Sequence, residues 1–350
     1  MTLTGQGPTL IVIFIGSLGF LGRALVRWCP TNVDLTMTDL LERSPFPAGF
    51  TYKKLDIRTC SARDFEGVDT VIHNAGLFDL SASKERLQAI NVEGCRRVAQ
   101  YAIEAGIKQF VQISSTSVYG VHPTKIFENT EPKIPIHAYG ESKWLGEKTS
   151  ESLCRDAGIR WLAIRPTLIY GSDSRYGIAP MVALIDGLIQ RFNRILLPKA
   201  GPMVHVVHAD DVARAVWHLL EVGADGEFNV ADEHPLEFGD LLNAISHNLG
   251  SPARSIPVPW GLLRKLVSAP VAGPKILSIL ERIGRPKGSM ESSLSPRIDQ
   301  DWHEFIGADF VFDIQRLLDT GFKFHFPAVS QGLPDTIEKY RLQGWLPKRL

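Results

Sequence analysis

The stretch that decides the fold is Ile11 to Leu25, IVIFIGSLGFLGRAL. An apolar, β-branched run meets three glycines, Gly16, Gly19 and Gly22, and passes into Arg23, Leu25, Val26 and Arg27 at helical spacing. Two readings compete: the apolar core of a secretory signal, or a buried strand that turns through glycine into a helix. A signal carries basic residues before its core and a small-residue cleavage site after it. The segment MTLTGQGP has no Lys or Arg, and the helical pattern continues where the cleavage site would fall. The strand–turn–helix reading is the expectation.

Outward from this unit, short β-branched runs alternate with longer helical patterns as far as about residue 170. The strand candidates are LIVIFIG, VDLTMTD, FTYKKLD, DTVIHNA, KQFVQIS and RWLAIRP. Between the fourth and fifth, Leu87, Ile90, Cys95, Val98, Ala99, Ala102 and Ile103 fall at helical spacing, and AGIK supplies a glycine stop. Such alternation predicts an α/β doubly wound parallel sheet, a Rossmann architecture. After residue 175 the rhythm loosens. A helix near 179–191, a strand at VHVVH, a helix from Asp210 to Glu221 and the strand GEFNVAD are expected, the last two returning to the main sheet. The expected division is 1–175 plus 204–232 for the dinucleotide-binding domain and 176–203 plus 233–350 for a smaller substrate-binding region. GRPKGSMESSLSP reads as a mobile loop.

Bulk properties narrow the function. Of 350 residues, Lys plus Arg and Asp plus Glu are 38 each, so no net field favours nucleic acid. Cys29, Cys60, Cys95 and Cys154 lie too far apart for a zinc site or a disulfide framework, which points to free thiols in a reducing cytoplasm. No run reaches the roughly 18 uncharged apolar residues of a membrane span. IPVPWGLLRKLVSAPVAG is interrupted by Arg264, Lys265 and prolines.

The glycine spacing G-x-x-G-x-x-G lets a backbone approach a pyrophosphate while the helix N-terminus supplies N–H donors. Asp39, closing VDLTMTD, stands where a carboxylate accepts hydrogen bonds from a ribose diol and repels a 2′-phosphate. NAD is therefore expected over NADP. Farther on, Tyr139 and Lys143 are four apart in HAYGESKWLGEK and share a helix face. A nearby ammonium favours the phenolate, and with a hydroxyl donor the pair moves a proton on and off an alcohol oxygen.

The glycine turn, Asp39, LDI (55–57), HNAG (73–76), NVEG (91–94), SSTSVYG, the Tyr-x-x-x-Lys pair and IRPTLIYG together resemble the extended short-chain dehydrogenase/reductase family, in order and spacing, over about residues 9–220. The resemblance implies Tyr139 as acid/base, Lys143 as its pKa modulator and ribose ligand, and Ser115 as the holder of the substrate oxygen. It implies a cofactor site from Gly16, Gly19, Phe20, Leu21 and Gly22, with Asp39 on the ribose and Asp56 and Ile57 flanking the adenine. Asn74, Ala75 and Gly76 would line the cofactor, with Asn91 and Pro166 near it. Asn91 also reads as a helix-packing residue and Asp56 as a turn former. Ile15 stands where the family usually has Thr.

Departures from the family pattern select among reactions. Thr116 and Ser117 replace the acidic pair of the sugar-nucleotide dehydratases. Leu168 and Val204 replace the Asn and Arg that serve the substrate diphosphate in sugar-nucleotide epimerases. Apolar residues there resemble the 3β-hydroxysteroid dehydrogenase branch. Trp260, Leu262, Leu263, Leu266 and Val267 would wall an apolar pocket, pack in the core, or touch a membrane peripherally. The expectation is an NAD-dependent dehydrogenase or reductase of a hydrophobic secondary alcohol or ketone. The alternatives are a sugar-nucleotide 4-epimerase using Arg191 or Arg194, and a non-catalytic dinucleotide sensor. A homodimer through helices near Lys84–Ala105 and Ala138–Asp156 is implied by the family.

Overall fold

The computed structural model describes residues 9–43, 46, 50–79, 82–122, 125–133, 137–192, 195–251, 253–267, 269, 272–285, 294–295 and 308–346. Among them, seven parallel strands form one sheet: β1 (Leu10–Ile15), β2 (Val33–Asp39), β3 (Thr51–Lys54), β4 (Thr70–His73), β5 (Gln109–Ile113), β6 (Arg160–Pro166) and β7 (Gly226–Val230). Their spatial order is β7-β6-β5-β4-β1-β2-β3. The chain reverses its direction of winding between β1 and β4, and in such sheets the crevice beyond the strand ends at the reversal receives the ligand.

Strand periodicity divides the core into two layers. Val12 and Phe14 of β1, Val111 and Ile113 of β5, and Leu162 and Ile164 of β6 face one side, under the helices Phe20–Arg27 and Ala209–Glu221. Ile13, Ile15, Phe110, Trp161 and Ala163 face the other, under Cys95–Glu104 and Cys154 of the helix Ala138–Asp156. Ile15 is thus a core residue of this second layer, which accounts for an aliphatic side chain at that position. The strand GEFNVAD joins β6 as expected. VHVVH does not enter the main sheet: Val206–His208 pairs with Leu168–Tyr170 in a separate ribbon. A further apolar core gathers the helices Ile178–Phe192, Phe238–Asn248 and Val329–Leu342. The loop expected at GRPKGSMESSLSP falls almost wholly outside the described residues.

The helix predicted near Lys84–Ala105 is interrupted by a wide turn over Gln88–Gly94. Close approach explains the glycines at this point. A Cβ on Gly94 would lie 2.6 Å from Ile57 Cδ1, and one on Gly146 would lie 2.3 Å from the Asn91 carbonyl oxygen.

The Ala138–Asp156 helix turns an unusually polar face to the sheet. Glu147 is completely buried and pairs with Arg165 of β6, itself 4% exposed. Arg165 Nε donates to Glu147 Oε2 at 3.1 Å, and its Nη1 donates to the Tyr119 hydroxyl and the Glu128 carbonyl, both at 2.8 Å. Burial alone would lower the Arg165 pKa, but the Glu147 carboxylate and the Tyr119 oxygen hold it above its ordinary value. One turn on, Ser150 Oγ accepts from Trp161 Nε1 at 2.9 Å. Removing one partner of a buried ion pair strands the other charge, at a cost of about 3–5 kcal/mol. Glu147→Gln is therefore expected to lower unfolding free energy by ~3 kcal/mol or more in urea titration. A loss under ~1 kcal/mol, the level of an exposed pair, would show that the pair does not anchor the helix.

Candidate active site

At the first turn, Gly16 adopts φ +88°, and a Cβ there would lie 2.7 Å from the Ala75 amide nitrogen. A Cβ on Gly22 would lie 2.5 Å from the carbonyl oxygens of Gly16 and Ser17, so this glycine lets the helix begin against the turn. Asn74 Nδ2 donates to the Gly16 carbonyl at 2.9 Å, tying the ends of β1 and β4 together. Asp39 Oδ2 accepts from the Leu18 amide at 2.9 Å and Oδ1 from the Leu40 amide at 2.8 Å. A carboxylate offers about four acceptor positions, so Asp39 shapes the turn and retains capacity for a diol.

Beyond the strand ends lies a cavity of about 1060 Å³. Gly19, Phe20, Leu21, Asn74, Gly76, Ser115, Tyr139, Lys143 and Pro166 are on its wall. Gly16, Gly22, Asp39, Asp56, Ile57, Ala75 and Asn91 are not among its lining residues. Asp56 is held by Arg58, whose guanidinium and amide bond its carboxylate and keep its pKa below the usual range, and its carbonyl accepts from Thr59 and Cys60. The turn-forming reading accounts for that residue. Ile57 is buried against Gly94. Asn91 Oδ1 accepts from the Leu77 amide at 2.7 Å, while its Nδ2 donates to the Leu77 carbonyl and to Ser142 Oγ. Asn91 thereby clamps the loop that follows Gly76 to the helix carrying Tyr139 and Lys143.

Tyr139 and Lys143 share a helix face, as the spacing predicts. His137 caps this helix, its Nδ1 accepting from the Gly140 amide at 3.0 Å, and its ring stacks on Tyr139 at 6.0 Å. Phe78 meets Tyr139 edge-on at 5.0 Å. Lys143 Nζ donates to the Ile113 carbonyl at 2.6 Å, and burial lowers its pKa to about 8 against the opposing pull of Cys95 and Glu147. Burial pushes Tyr139 up to about 12, and the opposing influence is a hydrogen bond with Ser115. Ser115 Oγ also accepts from the Ser117 amide at 3.1 Å. Beside it, Ser114 Oγ is buried on the cavity wall with no hydrogen-bond partner among the described residues.

The cavity wall also carries Leu168, Met181, Val204, Phe238, Leu241, Trp260, Phe310 and Phe312. Arg175 is also on the wall, its guanidinium 4.0 Å from the centre of the Trp345 ring. Trp260 therefore meets the expectation of a pocket wall. Leu262 and Leu266 do not, being 56% and 44% exposed, because the helix Trp260–Val267 presents them outward; the side chains of Leu263 and Val267 lie outside the described residues. Arg191 is not among the lining residues, and Arg194 lies outside the described residues.

Sequence reading assigned no role to His205. Its ring is on the wall, Nε2–H donating to the Asp232 carbonyl at 2.7 Å and Nδ1 accepting from the Phe312 amide at 3.3 Å. Burial lowers its pKa to about 4, leaving a neutral, fixed imidazole. Only the long-range return of residues 312 and 232 to this point makes it recognisable.

A model of the NAD dependent epimerase/dehydratase family matches residues 12–231. The chain belongs to that family. An N-acetyl-α-D-glucosaminyl-diphospho-ditrans,octacis-undecaprenol 4-epimerase of Escherichia coli O157:H7 is 25% identical over 337 residues, covering 93% of this chain and 94% of that one. A 3β-hydroxysteroid-dehydrogenase/decarboxylase of Arabidopsis thaliana, isoform 1, is 26% identical over 226 residues, covering 61% of this chain and 51% of that one. An uncharacterized protein of Sinorhizobium fredii is 27% identical over 238 residues, 58% of its own length. The structure of a Thermus thermophilus UDP-glucose 4-epimerase complexed with NAD superimposes with a TM-score of 0.68 at 19% identity, covering 95% of this chain and 99% of that one; this likeness concerns the fold. Membership in an NAD-dependent family agrees with the cradle that a Cβ on Gly16 would fill and with the partnerless Ser114 hydroxyl on the wall. No described helix is long and apolar enough to cross a membrane.

Behind His205, Asp232 is completely buried. Burial raises its pKa to about 8, and its Oδ2 has no hydrogen-bond partner among the described residues. A carboxyl raised by folding binds its proton more tightly in the native state, so stability falls with rising pH between the unfolded and folded pKa values. Unfolding free energy is expected to drop by about 1.4 kcal/mol per pH unit between about pH 5 and 7 on this group's account. Asp232→Asn should remove that slope; an unchanged pH profile in denaturant titrations of the variant would refute the assignment.

Proposed function

We propose that this protein is an NAD-dependent oxidoreductase interconverting a secondary alcohol and a ketone on a hydrophobic small molecule. The observation that carries this reading is the apolar part of the cavity wall, to which Leu168 and Val204 contribute with Phe238, Leu241, Phe310 and Phe312. A diphosphate needs charge-assisted donors, whereas an apolar ligand gains about 25 cal/mol for each Å² of apolar surface it removes from water. The Gly16–Gly22 turn would hold the pyrophosphate and Asp39 the adenosine ribose, Asn74, Ala75 and Gly76 would line the cofactor with Pro166 near it, Asp56 and Ile57 would flank the adenine, and Asn91 would position the loop.

NAD, when bound, supplies the hydride acceptor and, as NADH, the donor. The chain's own groups handle the proton. Tyr139, raised to about 12 by burial, holds its proton near neutral pH and would give it to a carbonyl oxygen, or receive one from an alcohol in the reverse direction. Ser115, on the same cavity wall as Tyr139, would hold the same substrate oxygen. Lys143 would engage the ribose hydroxyls in place of, or alongside, the Ile113 carbonyl and favour the phenolate electrostatically. Thr116 and Ser117 provide no second acid for elimination, and Thr116 Oγ1 is engaged with the Pro166 carbonyl.

A second reading, a 4-epimerase with retained NAD, is favoured by the near full-length match to the E. coli lipid-linked sugar epimerase and by Arg175 on the wall. The two differ in what happens to the cofactor. A dehydrogenase forms or consumes NADH with each turnover and loses its cofactor on desalting; an epimerase does neither. With lipophilic ketones, NADH consumption is expected to fall about 10²–10⁴-fold in Tyr139→Phe and to drop in Ser115→Ala. Full activity in Tyr139→Phe would remove the mechanism, and sugar epimerisation without net NADH change would favour the second reading.

A further inference from the structure

We propose that the paired helices Trp260–Val267 and Ala272–Gly284 form a docking face for an anionic lipid surface, placing the mouth of the apolar cavity at the membrane. On the first helix Leu262, Lys265 and Leu266 are exposed at spacing i, i+3, i+4; on the second, Lys275, Ile279 and Arg282 are exposed at i, i+4, i+7. Each helix therefore shows water a stripe on which large aliphatic side chains alternate with cations. Ile279 is 46% exposed, in the same range as Leu262 and Leu266.

Local charge selects the occupant. The chain as a whole is balanced, but residues 260–285 carry Arg264, Lys265, Lys275, Arg282 and Arg285 against Glu281 alone. Aliphatic residues that enter the acyl boundary, flanked by Lys and Arg that meet headgroups, are the chemistry of an interfacial amphipathic helix. A second copy of the same face would bring like charges together about a two-fold axis, which disfavours self-association.

The face is continuous with the cavity and fixed to the body. Trp260, the first residue of its helix, is on the cavity wall, with its Nε1 donating to the Ala200 carbonyl at 3.1 Å and its ring edge-on to Phe238 at 5.7 Å. The second helix crosses Ile178–Phe192 at a glycine contact so close that a Cβ on Gly187 would lie 1.9 Å from the Gly284 carbonyl oxygen. Trp260 thus joins the proposed face to the wall of the cavity.

This inference extends the reading of the substrate as lipophilic, and its test reads binding without turnover so that the two can fail separately. The full chain is sedimented with vesicles of phosphatidylcholine alone or mixed with phosphatidylglycerol. Binding is expected to the mixed vesicles, to weaken with added salt, and to fall about a hundredfold in Lys265→Glu/Lys275→Glu/Arg282→Glu. Leu262→Ser/Leu266→Ser/Ile279→Ser should also lose vesicle binding while keeping the wild-type circular-dichroism spectrum, because all three residues are exposed. Three results would overturn the proposal: no binding to phosphatidylglycerol vesicles, equal binding by wild type and both variants, or a wild-type dimer in gel filtration that the serine variant splits. The last would assign the face to a second copy.

Discussion

The buried pairing of Glu147 with Arg165 is the constraint on which the site depends. Tyr139, Lys143 and Glu147 recur every four residues, so one helix face carries the proton-handling phenol, the ammonium and the anchoring carboxylate. Arg165 lies in β6 directly before Pro166, on the cavity wall, and reaches Tyr119 and the Glu128 carbonyl as well. Buried pairs gain little over apolar packing but permit few alternative arrangements once made. Here the pair fixes the helix against the sheet at a single register, which holds Lys143 Nζ at the Ile113 carbonyl and Tyr139 beside Ser115.

The same burial that fixes these groups shapes their chemistry. Desolvation raises Tyr139 and lowers Lys143, bringing the two pKa values from about 10.0 and 10.5 to about 12 and 8. His73, behind them, is lowered to about 3 by burial and by Lys143, so the ammonium faces no second cation at neutral pH. The cavity wall combines polar groups at the strand ends with apolar side chains from the C-terminal half of the chain, among which His205 and Arg175 are polar exceptions. Backbone termini and turns gather at the carboxyl ends of the strands, while the C-terminal helices bring apolar side chains.

Much of this was legible in the sequence because it is local. Every main-sheet strand followed from β-branched runs between turn residues, and Gly16, Gly22 and Asp39 from the spacing of a single βα unit and the next strand. Three features escaped. The polar, sheet-facing side of Ala138–Asp156 gives no amphipathic stripe, since Glu147 and Ser150 are buried by partners more than ten residues away. His205 acquires its surroundings from residues 232 and 312. The outward aspect of Leu262 and Leu266 could not be separated from a pocket wall by periodicity, because both arrangements place leucines on one face of a helix.

The most direct test of the account follows the hydride. Single-turnover reduction of a lipophilic ketone with NADH deuterated on one face of nicotinamide C4, analysed by mass spectrometry, reports whether the chain transfers hydrogen from cofactor to substrate. The account predicts deuterium at the product's carbinol carbon from one face only, with NAD released to solvent. Retention of the label on the cofactor after complete substrate conversion, whichever face carries it, would contradict the account.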